Sequence, residues 1–214
     1  MPRTARIVIP GIALHVVQRG HDRRDCFFDD DDYVAYIDYL CTFACRFGCS
    51  IHAYCLMTNH VHLLMTPHSE KACTEVMRYT GQYYVQRINK RIGRTGTLWE
   101  GRFHSCLVTS ERYALACYRY IELNPVEAKM VDHAREYRWS SYTANARGTP
   151  GDFLSPHPAY DALGTTAITR GSAYTALFAR PLERGLIDDI RKATRGGYVV
   201  GAQRKSRGRP PRRK

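Results

Sequence analysis

The chain has 214 residues, of which 44% are apolar and 11% aromatic, so it can bury a core but is short for more than one domain and an extension. No run of about 18 apolar residues is present that could span a bilayer, and no basic and apolar leader opens the sequence. We therefore expect a soluble, cytoplasmic protein without a membrane partner. The eight cysteines form no Cys-x-x-Cys pair, which argues against a zinc site of that kind.

Apolar periodicity predicts alternating strands and helices over the first 123 residues. The acidic run 29–32 suits the positive end of a helix dipole better than a metal cluster. The order β-α-β-β-α-β is that of a ferredoxin-like α+β core with an antiparallel sheet, and the last helix should cross the sheet. The predicted elements are strand 12–18, helix 33–47, strands 50–57 and 61–66, helix 69–92, strand 98–108 and a helix from 111 to about 123.

The composition changes after residue 142. A stretch rich in Gly, Pro and Thr runs to residue 152, and segments 153–164 and 172–193 then predict short helices. We therefore divide the chain into a folded domain 1–142, a C-terminal helical extension 143–201 and a disordered basic tail 202–214.

The net charge of +12 is concentrated at the C-terminus. Residues 190–214 contain ten of the 32 lysines and arginines and no acidic residue. A basic tail on a nearly neutral body predicts a polyanionic partner, although a solvated disordered tail would have the same composition.

Two histidines, His60 and His62, mark the second strand of a predicted hairpin. Side chains at i and i+2 share one face of a strand, so both imidazoles can reach one metal ion while Val61 and Leu63 face a core. An isolated pair of this kind is more often a pair of hydrogen-bonded imidazoles. Two imidazoles also leave a divalent ion short of donors, so a further ligand must come from elsewhere.

Tyr120 and Asn124 are four residues apart and so share one face of a helix, where they present a phenol and an amide oxygen. A metal, an oxygen ligand and an ionisable phenol suggest covalent phosphoryl chemistry. For Asn124 the alternative is a helix cap, because the segment 124–127 has the residues of a helix N-terminus. The tyrosines that compete with Tyr120 are Tyr83, Tyr84, Tyr113 and Tyr118.

Five short blocks in order resemble the REP-associated tyrosine transposases, which are single-tyrosine members of the HUH transposase superfamily and relatives of insertion-sequence transposases. The likeness extends from about residue 10 to about residue 201. His60-Val61-His62 looks like the HUH signature and Tyr120 like the nucleophile. The blocks are Val17-Gln18-Arg19-Gly20, Leu56-Met57-Thr58-Asn59-His60-Val61-His62, Leu98-Trp99-Glu100-Gly101-Arg102-Phe103, Tyr120-Ile121-Glu122-Leu123-Asn124-Pro125-Val126 and Trp139-Ser140-Ser141-Tyr142.

The resemblance implies that residues 1–142 form a catalytic domain that cleaves and rejoins DNA strands. His60, His62 and Asn124 would bind Mg²⁺ or Mn²⁺, and Tyr120 would attack a phosphodiester of single-stranded or hairpin DNA to form a 5′-phosphotyrosine. The resemblance also implies that the protein is a monomer or a homodimer and that it lies in the cytoplasm at the nucleoid. The alternatives are a protein that binds palindromic hairpins without cutting them and a hydrolytic zinc enzyme.

Arginines are the candidates for contacts with DNA phosphates, although solvated arginines would give the same pattern. Arg19 and Arg23 flank the loop after the first strand, and Arg102 belongs to the third block. Arg207 and Arg209 lie in a segment that resembles an AT-hook core, which would place them in the narrow minor groove of A·T-rich duplex DNA. An unspecific polybasic tail is the alternative.

Overall fold

In a computed structural model, which describes residues 6–149 and 153–202, a four-stranded antiparallel sheet organises the chain. Its strands are β1 (Ala13–Arg19), β2 (Cys49–Met57), β3 (His60–Pro67) and β4 (His104–Val108), in the order β2-β3-β1-β4. Helices α1 (Asp30–Phe47) and α2 (Ala72–Ile92) form the two crossovers. The predicted α+β fold, with its ferredoxin-like βαββαβ order, is confirmed.

Further helices follow the sheet. They are α3 (Glu111–Glu122), α4 (Asn124–Glu127), α5 (Tyr142–Ala146), α6 (Pro158–Asp161), α7 (Ala167–Ala176) and α8 (Arg184–Gly196). Helices α1 and α2 pack on one face of the sheet, whereas α3 and α8 contribute to the apolar cluster on the other face.

The strands divide their side chains between these two faces because successive residues of a strand point in opposite directions. Leu14, Val16 and Leu63 are fully buried in the cluster with α1 and α2. In the pairing of β1 with β3, Val17 lies opposite His62 and Arg19 opposite His60. This register places both histidines on the face of α3 and α8.

Local capping explains where the helices begin and end. The carboxylate of Asp29 accepts a hydrogen bond from the Asp32 backbone N–H, and Ser110 caps α3 in the same way through the Tyr113 N–H. Helix α1 ends at Gly48, whose φ of 69° is a left-handed conformation that favours glycine. The acidic run 29–32 is therefore a helix start, as predicted.

The fourth strand is shorter than predicted. Residues 98–103 are not part of it, because the chain turns at Gly101 with a φ of 107° and only resumes pairing at His104. Before that turn, Glu100 donates its backbone N–H to the Arg19 carbonyl. The predicted strand 98–108 therefore contains an irregular loop beside the end of β1.

The C-terminal extension is helical, but its helices differ from the predicted ranges. The predicted helix 153–164 is reduced to the single turn of α6, and the range 172–193 is split between α7 and α8 around Pro181. All eight cysteines are free. The helices of the described segments include none that is long and apolar enough to cross a membrane. The AT-hook-like segment with Arg207 and Arg209 lies outside the described residues.

The block around Trp139 extends the sheet edge. Leu56 donates its N–H to the Trp139 carbonyl, and Ser141 donates its N–H to the Tyr54 carbonyl, each at 2.9 Å. These bonds satisfy part of the outer edge of β2, which would otherwise expose unpaired backbone groups. The role of this block in the described structure is thus to cover an edge strand.

Candidate active site

A cavity of about 470 Å³ lies on the second face of the sheet, where β1, β3, α3 and α8 meet. His60, His62, Tyr120 and Asn124 all line it. The Tyr120 ring centroid is 5.6 Å from that of His62, and the centroids of His60 and His62 are 4.9 Å apart. The fold therefore brings the four predicted residues together.

A chain of hydrogen bonds fixes the proton positions of His62. The Thr194 hydroxyl donates to the Ile190 carbonyl at 2.7 Å, so it accepts from His15 Nδ1 at 2.9 Å. Neutral His15 then has its lone pair on Nε2, which accepts from His62 Nδ1 at 3.0 Å. His62 is left with a lone pair on Nε2, the nitrogen that is free to bind a metal.

His60 reaches the same protonation pattern through another partner. Asn59 donates its Nδ2 to the Arg23 carbonyl at 2.9 Å, which orients the amide so that Oδ1 accepts from His60 Nδ1 at 2.6 Å. His60 Nε2 therefore carries its lone pair. Such hydrogen bonds, in which the second ring nitrogen donates its proton, orient histidine ligands in metal sites.

Burial keeps these imidazoles neutral. Desolvation, with a smaller contribution from Arg19, lowers the pKa of His60 to about 4. Desolvation lowers the pKa of His15 to about 3, and desolvation together with His60 and His15 holds the pKa of His62 well below its ordinary value. Neutral imidazole is the form that binds metals.

The side chain of Asn124 does not cap the helix that follows it. Its Nδ2 donates backwards to the carbonyls of Tyr120 at 2.7 Å and Ile121 at 3.3 Å, and no side-chain cap is formed on α4. The amide thus satisfies carbonyls at the end of α3 and keeps its Oδ1 free of hydrogen bonds within the described residues. An amide oxygen held in this way is available as a ligand.

Tyr120 is half-buried, and no hydrogen bond to its hydroxyl is present among the described residues. The guanidinium carbon of Arg191 lies 5.9 Å from the centre of its ring. The competing tyrosines lie in other parts of the molecule. Tyr118 is fully buried and its hydroxyl accepts from the His157 N–H, whereas Tyr113 donates to Asp189 and Tyr84 donates to the Cys26 carbonyl. Tyr83 is partly exposed and packs against Phe43 of α1.

A buried carboxylate anchors the helix that carries Tyr120. Glu122 accepts hydrogen bonds from Ser141 at 2.6 Å, from Asn145 at 2.8 Å and from the Tyr174 hydroxyl at 2.6 Å. Burial raises the pKa of Glu122 to about 7, although these three bonds lower it. The network ties α3 to the Ser140-Ser141 block and to α7 and so fixes the position of Tyr120.

The predicted DNA-binding arginines occupy different places. Arg19 lines the cavity. Arg23 is exposed, with a left-handed φ of 58°, and contributes through its carbonyl to Asn59 rather than through its side chain. Arg102 lies outside the cavity, in adjoining surface depressions.

Several cavity residues were not predicted. His15 was not among the predicted site residues, yet it is buried and hydrogen-bonded to His62. Its position on the same strand face as Arg19 was a usable signal, but the register with β3 was not visible in the sequence. The other unpredicted lining residues are Val17, Glu100, His104, Arg191, Thr194 and Arg195.

The site offers two imidazole nitrogens and one amide oxygen as ligands. Three protein ligands with further positions left open is the usual arrangement of a catalytic metal site. Within the described segments, no group of three His, Cys, Asp or Glu side chains is arranged to hold a metal ion. The His60, His62 and Asn124 set is thus the candidate, and Asn124 supplies the donor that such a group lacks.

One comparison with known proteins shows the family of this chain. The family model described as "Transposase IS200 like" matches residues 9–124, more than half of the chain. No curated protein sequence matches this chain. A solved structure of a REP-associated tyrosine transposase bound to a REP hairpin is 16% identical, with a TM-score of 0.57 over 73% of this chain and 93% of that one.

A second solved structure, of a Deinococcus radiodurans R1 protein assigned as a transposase, is 19% identical over 56% of this chain and 96% of that one, with a TM-score of 0.40. The first structure shares the fold described above. The family model covers the sheet and the segment with His60, His62, Tyr120 and Asn124. The chain therefore belongs to the IS200-like transposase family.

Proposed function

We propose that this transposase cleaves and rejoins single-stranded DNA beside a hairpin, with Tyr120 as the nucleophile and with Mg²⁺ or Mn²⁺ bound by His60, His62 and Asn124. The observation that carries the proposal is the convergence of Tyr120 with two neutral imidazoles whose Nε2 lone pairs are free.

The reaction is a transesterification at phosphorus. The Tyr120 oxygen forms a bond to the phosphorus, and the bond from phosphorus to the 3′-oxygen breaks. The phenol loses its proton to solvent and the departing 3′-oxygen takes one up, which leaves a 5′-phosphotyrosine and a free 3′-OH. Attack by another 3′-OH reverses the step and joins two strands without nucleotide hydrolysis.

The surroundings of Tyr120 support this role. A phenol has an ordinary pKa of about 10, so ionisation needs help from neighbouring positive charge. Arg191 beside the ring and Arg19 and Arg195 around the cavity supply that charge and can hold phosphate oxygens. A bound divalent ion would polarise the scissile phosphate and stabilise the leaving oxygen.

A folded DNA hairpin is the proposed substrate. The structural neighbour that shares this fold is bound to a REP hairpin, and the basic composition of this chain suits a polyanion. Single-stranded character at the cut is expected because the scissile phosphate must enter the cavity between α3, α8 and the sheet.

The test is to incubate the protein with Mn²⁺ and a labelled pool of genomic hairpin oligonucleotides and to measure denaturant-resistant protein–DNA adduct on a gel. The Tyr120→Phe variant should bind DNA but form no adduct, because the phenyl ring keeps the packing and lacks the nucleophilic oxygen. Tyr118→Phe is the matched control and should retain the adduct.

Two outcomes would contradict the proposal. Binding without an adduct in any metal would favour a non-catalytic hairpin-binding protein. Cleavage in the Tyr120→Phe variant, with free 5′-phosphate ends, would favour a metal-dependent hydrolase.

A further inference from the structure

The cavity that holds Tyr120 continues along the surface of the molecule. It shares Glu100 and His104 with a second depression of about 380 Å³. That depression shares Arg102 and Phe103 with a third, of about 490 Å³, that lies beside α2 and is called the α2 groove below. Three adjoining depressions, together called the channel below, therefore lie in a row from Tyr120 to the α2 groove.

Positive charge follows this channel. Arg19, Arg191 and Arg195 surround its first part, and Arg6 and Arg102 line the next. Among the residues that the structure describes along the channel, Glu100 supplies the sole carboxylate. This excess of guanidinium groups suits a phosphodiester backbone, which carries one negative charge per nucleotide.

Arg6 is held in the wall of the channel by contacts with Phe103, whereas Arg102 is available to bind a phosphate. Arg6 lies 3.7 Å above the centre of the Phe103 ring and donates Nε and Nη2 to the Phe103 carbonyl, each at 3.1 Å. No ion pair involves Arg102 in segments 6–149 and 153–202. Arg78, at the far side of the α2 groove, is paired with Glu75 at 2.5 Å and so contributes less.

The α2 groove differs from the rest of the channel because its floor is apolar. Met77, Trp99 and Phe103 form this floor, and the exposed amides of Gln82 and Gln86 stand at its rim. Its volume is within the range of about 300–1,000 Å³ that is usual for small-molecule sites. An apolar floor with amide groups at the rim matches a nucleobase, which is flat and has hydrogen-bonding edges.

We propose that a single strand of DNA joined to the scissile phosphate runs along this channel and places one unstacked base in the α2 groove. The proposal rests on the proposed function, since it takes Tyr120 as the point where the strand starts. A second copy of the chain or an apolar peptide would use the groove but would not account for the arginines that connect it to Tyr120.

The direct test is photo-crosslinking from the rim of the groove. Gln82→p-benzoylphenylalanine, made in the full-length chain with Tyr120→Phe so that no phosphotyrosine forms, is irradiated without metal and with a DNA hairpin pool that has randomised single-stranded flanks. We expect crosslinks to flank nucleotides. Arg87→p-benzoylphenylalanine, at an exposed position of α2 outside the groove, is the matched control and should give few.

A second measurement tests the base itself. In one hairpin recovered by crosslinking, an abasic nucleotide at the crosslinked position should raise the Kd about tenfold, as expected when one base loses its contacts with a protein surface. An abasic nucleotide elsewhere in the flank should change the Kd much less. Gln82→Ala with Gln86→Ala, both exposed on a helix and so compatible with folding, should reduce the tenfold difference.

The proposal is overturned if the hairpin pool binds but positions 82 and 87 crosslink equally, or if crosslinks reach only the stem or a second protein chain. If the unmodified protein still forms an adduct at Tyr120, either of these results would reject the proposed role of the α2 groove but not the proposed function. If the hairpin pool does not bind at all, both the proposed function and the proposed role of the α2 groove are rejected.

Discussion

The two faces of the sheet are built from the same strands but carry different chemistry. On the α1 and α2 face, Leu14, Val16 and Leu63 are fully buried in an apolar cluster. On the α3 and α8 face, the alternating positions of those strands include His15 and His62, which are also buried. Both faces bury an apolar cluster, but the α3 and α8 face also holds polar groups in a fixed geometry.

This contrast has an energetic meaning. Burying a polar group costs free energy unless it is hydrogen-bonded, and here each buried imidazole nitrogen that is not directed at the cavity has a partner. The lowered pKa of His15 and His60 is the sign of that cost, because protonation would place a charge in a desolvated site. The site is therefore organised before any ligand binds.

The largest expected effect is on Mn²⁺ binding and adduct formation, and it comes from a substitution on the α3 and α8 face of the sheet. His62→Ala should abolish Mn²⁺ binding and adduct formation, because it removes a central donor, while the protein remains folded. Isothermal titration with Mn²⁺ and the adduct gel measure both. His68→Ala is the control, since His68 is exposed just beyond β3 and its loss should alter neither. Retained Mn²⁺ affinity in His62→Ala would remove this residue from the site.

The next largest effect is on the free energy of unfolding, and it comes from a substitution on the α1 and α2 face of the sheet. Leu63→Ala should lower the free energy of unfolding by about 2–5 kcal/mol, the usual cost of such a truncation in a packed core. Denaturant unfolding measures it. Adduct formation per folded molecule should be unchanged, since Leu63 points away from the cavity. A loss of stability in His62→Ala as large as that in Leu63→Ala would erase the contrast between the faces.

Glu122 tests how the second face anchors Tyr120. Its folded-state pKa of about 7 is raised above the ordinary value of a glutamate, so its contribution to stability is complete below about pH 4.5 and is lost as the pH rises to about 7. The contribution of Glu122 to the free energy of unfolding that is lost over this pH range is about 3 kcal/mol. Glu122→Gln should flatten this part of the curve of unfolding free energy against pH, whereas Glu127→Gln, at an exposed position, should leave it intact.

The smallest expected effect concerns the orientation of His62. His15→Phe removes the acceptor of the His62 Nδ1 proton and should weaken Mn²⁺ binding by about 10–100-fold, as loss of such a partner does in metal sites. His15→Gln should restore part of the affinity. His52, which is buried and hydrogen-bonded to Thr66 and the Ser155 carbonyl, supplies the control, and His52→Gln should not change Mn²⁺ binding.

The sequence predicted those features that depend on local spacing. Helix periodicity and strand alternation were enough for the βαββαβ order, and the i, i+2 spacing of His60 and His62 correctly placed both imidazoles on one strand face. The i, i+4 spacing of Tyr120 and Asn124 likewise predicted that both side chains face the same site, and both line the cavity. Each of these inferences uses only neighbours along the chain.

The features that sequence reasoning missed depend on contacts between distant segments. The pairing of His15 with His62 follows from the register between β1 and β3, and Thr194 comes from α8, more than a hundred residues beyond either strand. The loop 98–103 was predicted to be part of the fourth strand, but the chain turns at Gly101 in a left-handed conformation. The register has no local sequence signal, whereas Gly101 itself was a local signal for a break in the strand.

Peptide mapping of the adduct tests most directly whether the Tyr120 oxygen becomes joined to DNA. Trypsin cuts after Arg119, so Tyr120 falls in peptide 120–129 whereas Tyr113 and Tyr118 fall in peptide 113–119. After nuclease trimming of the DNA, mass spectrometry should find the added nucleotide on Tyr120. A nucleotide on any other residue, or free 5′-phosphate ends with no modified peptide, would contradict the account.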